Sequence, residues 1–221
     1  MNIIKAGFKI ESEINGEEIL KQIEKVGRTC YESEDKITEE SAVKFVKGLV
    51  SRGHEAMIEH SIVTVRFTCD RGVSHEIVRH RLASFGQEST RYCNYSTDKF
   101  GSGINVIDIA SGISLDSKMK DLSQEAITII LQEWLNAIED AEKHYLKMIE
   151  LGATPQIARS VLPNSTKTEI VVSMNLREWR HFFKLRADTP AHPQMREIAI
   201  PLLKEFKRLI PVVFDDILPE L

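Results

Sequence analysis

The chain has 221 residues, 42% hydrophobic and 28% charged, with a formal net charge of −4 and a pI near 6.0. Such a length buries one substantial core, read here as a single domain over residues 1–221, and the acidic balance excludes a general nucleic-acid binder, which needs a broad basic surface. Three cysteines without C-x-x-C spacing (Cys30, Cys69, Cys93) exclude a disulfide framework and fit a reducing cytoplasm; the start lacks a signal-peptide core, and no run of about 18 apolar residues predicts a membrane span.

In chain order, Ile3 to Ile10 reads as a short strand. Ile19, Ile23 and Val26 recur at helical spacing in the segment that follows. A second helix is predicted from Thr38 as cap, turning Ala42, Phe45, Val46, Leu49 and Val50 inward and stopping at Gly53. "SIVTVRFTC" alternates Val63, Val65, Phe67 and Cys69 against polar residues, the mark of a half-buried strand. In "RGVSHEIVRHRLA", Ser74 is the expected cap of a helix with Ile77, Val78 and Leu82 on its apolar side. Glu76, Arg79 and His80 would then converge on the other side. "ASFGQESTRY" is expected to be a loop, and "YSTDKFGSGINVIDIASG" an irregular connection. The longest helix is predicted over roughly 117–151, ended by Gly152. Thr154 and Pro155 restart a helix that Pro163 stops. "TEIVVSMNL" reads as a strand with Ile170, Val172 and Met174 on one face. "REWRHFFKLRAD" is helical, with Trp179, Phe182, Phe183 and Arg186 on one side, and the tail keeps helical periodicity with a kink or break expected at Pro201. Without a βαβ rhythm this is an α+β fold, mixed helices with a small, mainly antiparallel sheet.

Nucleotide fingerprints are missing: no P-loop occurs, and "GSGINV" has Val106 where a third glycine belongs. His54 and His60 lack the spacing of a zinc pair, so no metal site is expected. Ser84 and Ser89 sit in no nucleophile elbow. "RHRLASFGQESTRY", Arg79 to Tyr92, gathers hydrogen-bonding groups more densely than any other stretch. Further arginines, Arg159, Arg177 and Arg186, lie in or beside apolar segments. Each either pairs with a carboxylate such as Glu169, Glu178 or Asp188, or joins a shared site for an anion, since a guanidinium out of water needs a partner. Its planar fork suits phosphate and ring carbonyl oxygens alike.

The same stretch resembles R-H-R-x-x-S-x-N-x-x-S-x-R-Y, the signature of flavin-dependent thymidylate synthases. Arg79, His80, Arg81, Ser84, Ser89, Arg91 and Tyr92 match, and Gly86 replaces the asparagine. "RGHEAMIEH", "ARSVLP" and "NLREWRHFFKLRAD" are similar to three further segments of that family. The resemblance implies conversion of dUMP to dTMP, with 5,10-methylenetetrahydrofolate as carbon donor and NADPH as reductant through FAD. It also implies a homotetramer with active sites at subunit interfaces. By position it implies FAD contacts from His54, Ala56, Arg79, His80, Arg81, Gln87, Asn175, Arg177 and His181. Contacts to dUMP would come from Glu76, Arg79, Gln87, Glu88, Ser89, Arg91, Arg159 and Arg186. Arg186 is the implied catalytic residue, favouring ionisation at uracil N3 so that C5 becomes nucleophilic. His192 is a candidate for a histidine near the folate. Two other readings compete: a nucleotide-binding regulator that kept the pocket and lost the chemistry, favoured only by Gly86 and Ala56, and a nucleic-acid module, opposed by the charge and by 7% aromatics.

Overall fold

Strict alternation of side chains builds the centre of the sheet. In the computed structural model, which describes residues 1–97 and 103–219, strands β3 (Ile62–Asp70) and β6 (Lys167–Asn175) bury every second side chain over most of their length. Val63, Val65, Phe67 and Cys69 turn inward from β3, and Thr168, Ile170, Val172 and Met174 from β6, as a period of two requires. Thr64 Oγ1 meets Ser173 Oγ at 2.8 Å, and the Arg71 N–H donates to the Thr166 carbonyl at 3.1 Å. Numbers rise along one strand as they fall along the other, so the pair is antiparallel. The four-stranded sheet has the order β2-β3-β6-β4, with β2 at Gly7–Ile10 and β4 at Ala83–Gln87. A separate parallel pair joins β1 (Asn2–Ile4) to β5 (Asn105–Ile107), Ile3 opposite Val106.

The chain divides into two compact units. The first comprises Met1–Gly7, Phe67–Arg79 and Gly86–Ile170; the second comprises Phe8–Arg66, His80–Phe85 and Val171–Leu221. In the first, the long helix α5 (Gln124–Glu150) follows the short α4 (Ala110–Leu115), and Ser123 caps it by accepting the Ala126 N–H. Its Ile138 and Tyr145 pack with Cys93, Tyr95, Ile104, Val106 and Ala158. The Tyr145 hydroxyl accepts the Tyr95 N–H at 3.3 Å, which supplies that buried donor with a partner. After α5 come α6 (Pro155–Ala158) and a 3₁₀ turn at Arg159–Val161.

In the second unit, helices α1 (Gly16–Thr29) and α2 (Ser41–Ser51) pack together, as do α7 (Leu176–Arg186) and α8 (Pro193–Leu209). Trp179, Phe182 and Phe183 of α7 meet Phe206 of α8 and Phe214 in one aromatic cluster, with Trp179 and Phe206 centroids 5.1 Å apart. The Trp179 indole N–H donates to the Val63 carbonyl at 3.0 Å, so the polar end of the ring is satisfied as well. Arg180 is also buried. Its fork spans Asp216 at 2.6 and 2.7 Å, its Nε donates to Glu55 at 2.9 Å, and Nη1 also donates to the Val213 carbonyl. That guanidinium holds the Asp216 carboxyl below the usual carboxylate range.

Several boundaries differ from expectation for local reasons. The first strand is two strands, β1 and β2. Helix α2 starts at Ser41, because the Ser41 hydroxyl ties back to both the N–H and the carbonyl of Thr38 and closes a turn there. Helix α3 is Arg71–Ile77: Asp70, not Ser74, is the cap, its carboxylate accepting the Val73 N–H at 2.6 Å. It ends before Val78 and Leu82, which are 40% and 72% exposed. Residues Ala83–Gln87 form β4 where a loop was expected, since the sheet supplies an edge for them to pair with. Helix α5 begins at Gln124, seven residues later than predicted from 117. Gly53 and Gly152 do end α2 and α5, with φ of +70° and +92° that side-chain-bearing residues avoid. Pro201 lies inside α8 without breaking it. The centre of the expected irregular connection, 98–102, lies outside the described residues.

Replacing Arg180 by leucine is expected to destabilise the protein by about 2 kcal/mol. The effect falls short of the roughly 3–5 kcal/mol typical of a broken buried pair because Asp216 and Glu55 both reach water. Urea unfolding of the variant measures this; no change in midpoint would refute it.

Candidate active site

The predicted site residues sort by unit. Glu76, Arg79, Gln87, Glu88, Ser89, Arg91 and Arg159 belong to the first. There, Asp70 and the Arg71 backbone, which donates to Asn164 and Thr166, anchor the start of α3. Gln87, at the end of β4, donates to Ser74 of α3 at 2.9 Å and to Thr168 of β6 at 3.3 Å. Glu88 pairs with Lys167 at 2.9 Å. Burial pulls the Lys167 ammonium down, but the hydrogen bonds it donates to Glu88 and Glu169 outweigh this and hold the lysine above its ordinary value. Ser89 opens a turn: its hydroxyl accepts the Arg91 N–H and its carbonyl accepts from Tyr92 and Cys93. The turn leaves Arg91 exposed with its guanidinium over the Tyr92 ring. Arg159 donates to the Thr90 hydroxyl at 3.1 Å and lines a pocket of about 450 Å³ with Arg71, His75, Gln156 and Asn164. Of the nucleotide set only Arg159 lines that cavity; Arg71 and His75, its other basic groups, were not singled out by the sequence.

His54, Ala56, His80, Arg81, Asn175, Arg177, His181 and Arg186 belong to the second unit. Asn175 caps α7, its Oδ1 accepting the Glu178 N–H at 2.9 Å. Arg177 and His181, four apart on α7, line one pocket of about 400 Å³ together with Asn175, Glu178, Lys184 and Leu82, as helical spacing allows. Arg177 pairs there with Glu59 at 2.5 Å. His54 and Ala56 are elsewhere: they line a different pocket, about 280 Å³, with Cys30, Tyr31, Leu49 and Met57. Arg79 and Arg81 are exposed, whereas His80 between them is buried. Helix α3 ends at Ile77, so Arg79 and His80 lie beyond the helix on which they were expected to share a face with Glu76.

Both ring nitrogens of His80 have partners. Its Nδ1 lies 2.9 Å from Glu178 Oε1, and its Nε2 accepts the Arg186 Nε–H at 3.2 Å. Its ring is flanked by His181, centroid 5.5 Å away, and Phe182, 5.1 Å away. Burial holds the imidazole below its ordinary value; the hydrogen bond to Glu178 opposes this and the Arg186 charge adds to it. His80, Glu178 and His181 each offer a ligand atom within 4.8 Å of the others, yet a metal there would have to displace a bond that His80 already makes. Glu178 was one of three carboxylates named as a possible arginine partner; its carboxylate meets His80. The available signal was its place four residues before Phe182, which puts an acid on the edge of the buried face of α7.

Cys69 carries no nucleophile character: burial pushes its thiol far up. Gly86 has open space where a Cβ would stand, and its φ is not in the left-handed region. The backbone of β4 does not require glycine there.

Residues 14–212 match the model of the thymidylate synthase complementing proteins. The chain is 33% identical over 227 aligned positions to a flavin-dependent thymidylate synthase of Corynebacterium glutamicum, covering 96% of this chain and 84% of the relative. A protein of the same description from Geobacter sulfurreducens is 31% identical, covering 86% and 78%. Among solved structures the chain is similar to a UMP/dUMP methylase PolB from Streptomyces cacaoi bound with 5-Br dUMP. The TM-score is 0.81 at 20% identity, over 97% of this chain and 96% of that one, a likeness of fold.

A histidine held neutral in the native state gives stability that is full above its unfolded value of about 6.5 and declines as pH falls below it, because the unfolded chain then takes up a proton that the native one refuses. The unfolding free energy is accordingly expected to drop between about pH 7.5 and about pH 5.5, and to drop less in His80→Gln. Urea titrations of both proteins at the two pH values check this, and parallel slopes would refute it.

Proposed function

The chain belongs to the thymidylate synthase complementing protein family, and from that premise we propose that it methylates dUMP to dTMP, taking the carbon from 5,10-methylenetetrahydrofolate and electrons from NADPH through FAD. The matched span, 14–212, runs through both units, which supports reading the whole chain as one catalytic domain. Within the structure the reading is carried by Arg186, a guanidinium fixed by a buried neutral histidine whose ring neighbours the pocket-lining His181.

The donor chemistry of the second unit fits a flavin dinucleotide. Arg177, His181 and Lys184 present exposed N–H donors for a pyrophosphate, and Leu82 offers an exposed apolar side chain. Ala56 contributes apolar and backbone surface beside His54. Arg79, Arg81 and Gln87 complete the set by position. Once bound and reduced, the flavin supplies the hydride that completes the new methyl group.

For the nucleotide, the Ser89 turn and Arg91 suit the phosphate, and Arg159 an oxygen of the same ligand. Glu76, Arg79, Gln87 and Glu88 position it. Arg186 lies against the uracil edge and stabilises negative charge developing from N3, so that C5 attacks the carbon donor without a covalent bond to the protein. The protein is a cytoplasmic homotetramer with its sites at subunit interfaces; in support, α5 buries only Ile138 and Tyr145 of its 27 residues and leaves Ile129 55% exposed. Among the described residues no helix is long and apolar enough to cross a membrane.

Purified protein is expected to be yellow or to take up added FAD, and to rescue a thymidine-requiring bacterium. In Arg186→Ala flavin uptake should persist while dTMP formation is lost, whereas Arg91→Ala should weaken dUMP binding. A protein that cannot be loaded with FAD sinks the reading, as does full turnover by Arg186→Ala. Light scattering should give four times the 25.2 kDa chain mass; a monomer at working concentration would reject the assembly.

A further inference from the structure

We propose that Glu178 is a positioning residue for this reaction: through the imidazole of His80 it fixes where Arg186 points. The inference rests on the proposed role of Arg186 and adds the device that orients it.

The argument is one of proton placement. A guanidinium has five N–H donors and no acceptor. Where Arg186 Nε donates to His80 Nε2 at 3.2 Å, that nitrogen must carry a lone pair. In a neutral imidazole the proton then sits on Nδ1, which faces Glu178 Oε1 at 2.9 Å, and the carboxylate accepts it. The groups facing His80 are Glu178, Arg186, His181 and Phe182. Only Glu178 among them is an acceptor placed at Nδ1. Glu178 is held at its backbone, whose N–H donates to Asn175 Oδ1, and the residue is 6% exposed. Each link admits one arrangement of protons, from a buried acid to a partly exposed arginine.

Without the acceptor, the Nδ1–H would be buried and unpaired, a costly state. The proton would move to Nε2, where it would face the Arg186 Nε–H donor to donor and turn the guanidinium away. A small displacement of a group that stabilises developing charge lowers turnover without removing the ligand sites.

Two variants and one spectrum test this. Glu178→Gln keeps an oxygen acceptor in place, and Glu178→Leu removes it at similar bulk. With histidines labelled in ¹⁵N, His80 in the native protein and in Glu178→Gln is expected as the neutral Nδ1–H tautomer. Glu178→Leu should show the Nε2–H form. Turnover by Glu178→Leu should fall about ten- to hundredfold, with KM for dUMP within about twofold, and Glu178→Gln should recover most of it. An Nε2–H or doubly protonated His80 in the native protein at neutral pH would overturn the proposal. So would an unchanged tautomer or unchanged turnover in a folded Glu178→Leu, or a Glu178→Gln as impaired as Glu178→Leu. If Glu178→Leu fails to fold, the native spectrum and Glu178→Gln still decide. The spectrum is read without turnover, so an inactive Arg186 role, detected by Arg186→Ala, remains distinguishable from a failed relay.

Discussion

A guanidinium cannot accept a hydrogen bond, and much of the candidate site follows from that. Because Arg186 can only donate, the His80 nitrogen it meets must be the basic one, and the other must find an acceptor in the interior. The acceptor has to be charged or strongly polar, and it has to be held, or burial would neutralise it. Helix α7 does the holding. Asn175 fixes its first turn, the Leu176 N–H donates to the Ser61 carbonyl, and Trp179 bonds to Val63 while packing against Phe206. Glu178 and Arg186 are two turns apart on this one rigid element, so the distance between them is set by helix geometry.

The arginines divide by the company they keep. Arg180, deep in the second unit, is matched to two carboxylates and a carbonyl, and its work is structural. Arg177 and Arg91 lie at the surface, where pairing contributes little to stability and a ligand anion can compete for the fork. Arg159 donates to the neutral Thr90 hydroxyl, so its positive charge is not cancelled by that contact. Burial together with partner charge thus separates arginines that build the fold from those suited to ligands, a distinction that residue type alone does not make.

That limit explains how much was legible in the sequence. Strands β3 and β6 were, because period-two burial is a property of the strand itself. So was α7, whose aromatic stripe of Trp179, Phe182 and Phe183 lies within five residues. What the sequence hid depended on distant partners. The five residues of β4 have no strong strand pattern and pair only because an edge is present. Asp70 was missed as a cap because Ser74 is also a good one, and the choice turns on where β3 ends. The signature stretch read as one polar segment, yet its His80 is buried and both flanking arginines are exposed. Glu178 was visible only as a charge available to some arginine; its link to residue 80, ninety-eight positions away, is a tertiary fact.

Gly86, in the middle of that stretch, has a consequence of a different kind. A glycine with ordinary backbone angles and empty space at its missing Cβ is retained without any demand from the fold, and a side chain at such a strand position even lowers the entropy lost on folding. The strand beneath the signature therefore has a vacant attachment point, on the residue adjoining Gln87. A fluorinated or spin-labelled side chain introduced there would report on the segment as it meets a ligand, from a position where it displaces no neighbour.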